Sequence, residues 1–412
     1  MAAGPPEPVE GTIAELEERL RRHPPERYPV QHATDCFHLG LVLTDAGRAQ
    51  EAETQLDRAV ALFDPDGLRL EHAKALNALG AARRVGGRPA AAADAFARAA
   101  AGFAACDARA EEGAAHFNLG LVAGDLGDDA RAAASFRRAR ELFEEAGATA
   151  QVAACARELG RTALAAGELD EAQAALRDAV DLAARTGDQA GRGAAANALG
   201  LSLLAAGRPD DAVGALRDAV AAHPRSVRPD AYAMAQSNLA LAYEQGGRSP
   251  RARFAARHAI AAAAEPVRAQ AAAILDRLGG GPGDVLLVLD EEPHERWPAL
   301  VREEVARWAE LELLARREAA GAWIDGQLAR PDASAGLAEA WVGALLELPP
   351  EALRDVVAAT VTALRAREPD ARGRFRDQVS SAAARFHVPQ LMRLRDTFNA
   401  IAAQLGEEAA WG

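Results

Sequence analysis

The chain has 412 residues, half of them apolar, and 47 basic residues against 60 acidic ones give it a formal charge of −13. That balance argues against a general nucleic-acid binder, which would show a basic face, and no run approaches the roughly 20 apolar residues of a membrane-spanning helix. Three scattered cysteines, Cys36, Cys106 and Cys155, form no Cys-x-x-Cys pair, so neither a zinc site nor a disulfide framework is expected, and a reducing cytoplasm is the natural compartment.

Residues 1–11 are rich in Pro and Glu and lack an apolar core. They read as disordered and not as a secretion signal. Residues 12–22 have the pattern of an amphipathic helix with Ile13, Leu16 and Leu20 on one face. With the link through His23-Pro24-Pro25 to residue 32, this helix is expected to cap the helical body that begins at residue 33.

From residue 33 to 264 the sequence keeps time. Leu39-Gly40, Leu79-Gly80, Leu119-Gly120, Leu159-Gly160, Leu199-Gly200 and Leu239-Ala240 recur every 40 residues. Seven residues after each small residue stands a glycine, from Gly47 to Gly247. Alanines follow at Ala52 and Ala59 and at their equivalents through Ala252 and Ala259. A fixed period of this length marks a stacked repeat array. Each unit predicts helix, Gly turn, helix, because a glycine just past a helix end closes the last turn in a left-handed conformation. Pro89 and Pro209 open their second helices, where a missing N–H costs little. Gly40, Ala52 and Ala59 are small where two helices would cross, and Leu39, Leu56, Phe96 and Phe136 supply the apolar mass. One such buried side chain is worth roughly 1.5–3 kcal/mol.

Leu, small, Ala, large apolar, Ala at these spacings resembles the tetratricopeptide repeat, in the long-unit form of kinesin light chains. The resemblance implies an all-α chain: a right-handed superhelical array of six helix-turn-helix repeats, then a mostly helical C-terminal region. The extra residues fall in links such as Asp64-Pro65-Asp66-Gly67, Thr186-Gly187-Asp188 and His223-Pro224-Arg225. Two departures stand out. The family's early aromatic is Cys36, Leu76, His116, Ala156, Ala196 and Gln236 here, and its late proline is matched by Pro224 alone.

Residues 265–278 predict a C-terminal capping helix, since an array must cover its end faces. Gly279-Gly280-Gly281-Pro282-Gly283 reads as a linker. Beyond it the 40-residue register is lost and all five tryptophans appear: Trp297, Trp308, Trp323, Trp341 and Trp411. Residues 284–412 therefore read as a separate helical domain, with helices near 298–320, 333–347, 350–367, 371–386 and 389–405. The run 285–289 suits a short strand or a helix start equally. The tryptophans suit core anchors; Trp297 and Trp308 also suit a dimer or partner interface, and Trp411 a contact outside its own domain. A homodimer through 284–412 stays open.

Catalytic and metal motifs are missing. There is no Gly-rich phosphate loop, no His-Glu-x-x-His and no Gly-x-Ser-x-Gly. His32, His38, His72 and His116 read as structural or surface residues. Asp290-Glu291-Glu292 with His294 and Glu295 reads as a solvated charged loop, and His387 as a helix-end residue. No cofactor and no metal are expected. Lys74 is the sole lysine, an arginine bias that fits a GC-rich bacterial coding sequence.

The resemblance places the first helix of each repeat on the inner, concave wall. Asn77, Asn118, Arg157, Asn197 and Asn238 precede the Leu-small pairs there, with Arg84 and Arg161 one turn on and Lys74 one turn before Asn77. Asparagine carries a donor and an acceptor and arginine binds carboxylates in two-pronged fashion, so these residues suit an extended, acidic protein segment. The family's full carboxylate clamp is not reproduced. The expected function is a non-catalytic, cytoplasmic interaction scaffold that holds an unidentified protein or peptide, with no nucleic acid and no membrane. A peptide-sensing regulator acting by protein contact, or an accessory subunit of an enzyme, is the alternative.

Overall fold

The computed structural model describes residues 7–64, 66–260, 264–279, 281, 283–406 and 411. Among them lie twenty-one α-helices, one short 3-10 turn and no strand. Two compact units divide the chain, Met1–His223 and Pro224–Gly412.

The first unit opens with α1 (Glu7–Arg22), so helix begins inside the stretch expected to be disordered; residues 1–6 lie outside the described part. The cause is local. Val9, Ile13 and Leu16 pack with Leu39 and Leu43, and Arg19 reaches the buried Asp35 at 2.5 Å. Five hairpins follow: α2 (Pro29–Asp45) with α3 (Ala49–Leu62), α4 (Arg69–Val85) with α5 (Pro89–Ala105), α6 (Arg109–Asp125) with α7 (Asp129–Glu145), α8 (Thr149–Ala165) with α9 (Leu169–Thr186), and α10 (Gln189–Ala205) with α11 (Pro209–Ala222).

Each hairpin turns where the sequence places its glycine. Gly47 has φ +73°; its N–H donates to the Thr44 carbonyl at 3.0 Å and the Arg48 N–H to that of Leu43 at 2.8 Å. This is the paired closure that a left-handed residue makes possible. The small residue of each Leu-small pair lies under the large one of the partner helix. A Cβ on Gly40 would sit 2.4 Å from Leu56 Cγ, and one on Gly120 would sit 2.5 Å from Phe136. Phe96, Leu176 and Leu216 cover Gly80, Gly160 and Gly200 in the same way.

The second unit contains the sixth hairpin, α12 (Pro229–Gln245) with α13 (Ser249–Ala259), and then α14 (Glu265–Leu278), α15 (Asp284–Asp290), α16 (Trp297–Glu310), α17 (Leu313–Leu328), α18 (Ser334–Glu347), α19 (Pro350–Arg365), α20 (Pro369–Ala383) and α21 (Val388–Gln404). The two units part at His223; Gly280 and Pro282 of the stretch read as a linker lie outside the described residues. Charge ties α13 to the elements that follow that stretch. Arg253 of α13 binds Asp284 through two bonds of 2.8 and 3.0 Å, Arg257 pairs with the same carboxylate, and Arg251 bonds Glu291 and Glu292.

The run 285–289 resolves as helix α15, with Val285, Leu286, Val288 and Leu289 buried. The helix expected over 298–320 is two. Leu311 is extended, and the Arg316 guanidinium donates to the carbonyls of Trp308, Ala309 and Leu311 at 2.9–3.0 Å, closing the end of α16. All five tryptophans are buried in one core. Trp297 and Trp308 are therefore not interface anchors. Trp411 stacks on Phe398 at 4.1 Å and exchanges two hydrogen bonds with Asn399, so it serves its own unit. Among the described residues no helix is long and apolar enough to cross a membrane.

Candidate functional site

In the first unit the residues singled out by repeat position lie on the leading helix of successive hairpins. Lys74, Asn77 and Arg84 are on α4, Asn118 on α6, Arg157 and Arg161 on α8, and Asn197 on α10. Lys74 is exposed and the asparagines are half-buried. Asn118 Nδ2 donates to Asn77 Oδ1 at 3.2 Å, tying neighbouring hairpins. Each amide keeps one group unspent among the described residues: the Nδ2 donor of Asn77 and the Oδ1 acceptor of Asn118. The pair therefore presents one donor and one acceptor side by side, the complement of a peptide unit.

The arginines are less available than their positions suggest. Arg84 makes a two-pronged pair with Asp125 of the next hairpin, at 2.6 and 3.2 Å. Arg157 and Arg161 both close on the buried Glu158, at 3.1 and 2.9 Å. Two guanidiniums share one carboxylate, so this patch keeps one positive charge in excess. Asn238 falls in the second unit. It is buried, and its Oδ1 accepts from Gln270 at 3.4 Å, so it holds a neighbouring helix and does not line an open wall.

The second unit holds a polar cluster that no sequence motif announces. Glu304 is 1% exposed. Arg307 donates to it at 2.5 and 3.1 Å, Trp308 Nε1 at 2.9 Å, and His258 Nε2 lies 3.3 Å away. Burial pushes the Glu304 carboxyl up, but His258 and Arg307 outweigh it and hold the group well below the usual carboxylate range. Burial lowers Arg257 to about 10, against the pull of Glu304. On the other side of His258, its Nδ1 lies 3.4 Å from the Tyr232 hydroxyl, which donates to Glu303 at 3.3 Å and accepts from Gln236 at 3.0 Å. Burial pushes the Tyr232 phenol up, and Glu303 adds to it. The one signal in the sequence is the charge of α13: Arg251, Arg253, Arg257 and His258 crowd one short helix.

Two other histidines and the acidic run 290–292 make local contacts. His32 and His72 each place Nδ1 on a carbonyl nine residues back, at 2.7 and 3.0 Å. Burial lowers His116. Asp290, Glu291 and Glu292 do not form a free loop: Arg330 holds Asp290 at 2.6 Å, while Arg251 and Arg296 hold the glutamates. Among the described residues no group of His, Cys, Asp and Glu forms a metal site.

Residues 152–225 match one sequence model of the tetratricopeptide repeat, and residues 37–110 and 197–266 match another. No curated protein matches the chain. Solved structures that resemble it include BtubC (BKLC) from P. vanneervenii, at 20% identity over 52% of this chain and 90% of that one, with a TM-score of 0.45. Nearly identical TPR-like repeats assigned to a Podosopora anserina kinesin light chain are 20% identical over 50% of this chain and 96% of theirs, with a TM-score of 0.38. The apo form of the quorum sensor NprR from B. thuringiensis is 14% identical over 82% of this chain and 99% of its own, with a TM-score of 0.49.

Proposed function

The chain carries tetratricopeptide repeats in residues 37–110 and 152–266, and from that premise we propose that it is a non-catalytic interaction scaffold whose array holds an extended protein or peptide segment. The observation that carries this reading is the amide pair of Asn77 and Asn118, with its unspent donor and acceptor on adjacent hairpins. Such a pair reads the main chain whatever side chains the segment bears. The excess positive charge at Arg157, Arg161 and Glu158, with the exposed Lys74, favours an acidic segment.

Selection of random displayed peptides on the full chain, followed by fluorescence anisotropy of a selected peptide, tests this. Asn77→Ala/Asn118→Ala should weaken binding about tenfold, the worth of one or two hydrogen bonds, and Arg161→Glu should weaken acidic peptides selectively. Equal affinity for the wild type and the double variant would overturn the assignment.

A further inference from the structure

The second unit contains a cavity of about 680 Å³, within the range of small-ligand sites. Its walls come from α12, α13, α16 and α18, with the turn at Arg225 and Ser226 and the Leu348-Pro349 link. Pro229, Ala233, Ala306, Ala344 and Leu348 make most of the lining apolar. A second cavity of about 450 Å³ adjoins it, sharing Arg302, Ala344 and Glu347 and adding the faces of Trp297 and Phe386.

The charges in the larger cavity can be counted. Arg225 pairs with Glu310, while its buried Nη1 finds no hydrogen-bond partner among the described residues. Arg302 is neutralised by Glu347 at 2.7 Å. His258, on the inner wall, faces Glu304. One carboxylate of the lining is left without a basic partner. Glu303 has no basic partner among the described residues; the Tyr232 hydroxyl at 3.3 Å is its one hydrogen-bond donor there. Tyr232 is itself buried and fixed by Gln236, so the Glu303 carboxylate is held in place at the edge of an apolar chamber with unused acceptor capacity. A carboxylate so placed is satisfied by a charged donor, and the apolar walls accept the stem that carries it.

We propose that this cavity is a binding site for a cationic group on an apolar stem, an alkylammonium or alkylguanidinium, with Glu303 as its counter-charge and Tyr232 as the residue that positions Glu303. The ligand's source is either a free organic amine or a basic side chain of a peptide. The site is separate from the array face in the first unit, and its failure would leave that reading untouched.

Calorimetric titration of the full chain with n-hexylamine, with hexanoate, and with acetyl-Ala-Arg-Ala-amide tests the proposal. Hexylamine or the blocked peptide should bind, hexanoate should not, and Glu303→Gln should weaken the cationic probe about tenfold, the share of one charge-assisted bond. Glu303→Gln keeps an acceptor for Tyr232, so it tests charge rather than folding. Ala306→Leu, which fills the chamber, should also abolish binding. Binding of hexylamine alone identifies a free amine as the source, and binding of the peptide alone identifies a protein side chain. Equal binding of hexylamine and hexanoate, binding indifferent to Glu303→Gln, or no binding of either cationic probe would overturn it.

Discussion

Five hairpins in the first unit and one in the second share a single sequence rhythm, yet they are held together differently. In the first five, a glycine lies beneath a leucine or phenylalanine of the partner helix. In the sixth, Ala240 replaces the glycine and Ala256 replaces the large residue, so both sides of the crossing change together. What the sixth loses in apolar mass is matched on α13 by Arg251, Arg253, Arg257 and His258, whose partners Asp284, Glu292 and Glu304 are buried. The contrast separates two ways of building a helical interface. One relies on volume complementarity at a crossing that contains no titratable group. The other relies on buried charge, which must stay paired.

The largest test of that contrast is Glu304→Ala. It strands Arg307 and the Trp308 N–H in the core, and removing one partner of a buried pair costs about 3–5 kcal/mol. Denaturant unfolding of the full chain should show the loss. The linkage has a definite sign. Glu304 is held below its ordinary 4.5 in the folded state, so the unfolded chain takes up the proton more readily. Its contribution is complete above that value and falls as pH drops through the folded one. The stability gap between wild type and Glu304→Gln should therefore hold at neutral pH and narrow progressively as pH falls below about 4.5.

Overpacking comes next. Gly120→Leu drives a side chain into Phe136 and should cost about 1–3 kcal/mol or more, read as a lowered Tm. Ala256→Leu should cost a similar amount, and Ala240→Gly should recover part of it by restoring the pairing of the other five hairpins. A double variant no more stable than Ala256→Leu would show that the two positions do not share one crossing.

The smallest effect is chemical. Burial pushes the Cys36 thiol up to about 11 and the Cys155 thiol up to about 12. At mildly alkaline pH both should resist iodoacetamide in the native chain, while the half-buried Cys106 is alkylated. Rapid labelling of Cys155 would contradict the packing around α8.

The hairpins were legible in the sequence because their constraints are local and repeated. Gly47 must turn the chain and Gly40 must admit Leu56, and both demands recur every 40 residues. The second unit was harder to read because its constraints join distant residues. Nothing near Glu304 in sequence announces His258, and nothing near Gly279 announces that Arg253 crosses the glycine-rich stretch to Asp284. Trp411 lies beside the chain end and looks free, yet Phe398 and Asn399 hold it. At the array face, repeat position singled out Asn77 and Asn118, whose amides are hydrogen-bonded to each other. It could not show that Glu158 already occupies Arg157 and Arg161, because that carboxylate points along its own helix.

Hydrogen exchange on the full chain, with and without a selected peptide, tests the central claim most directly. The account predicts that the peptide slows exchange in α4 and α6 around Asn77 and Asn118, and that Asn77→Ala/Asn118→Ala removes the effect. Protection confined to residues 224–412, with α4 and α6 unchanged, would contradict it.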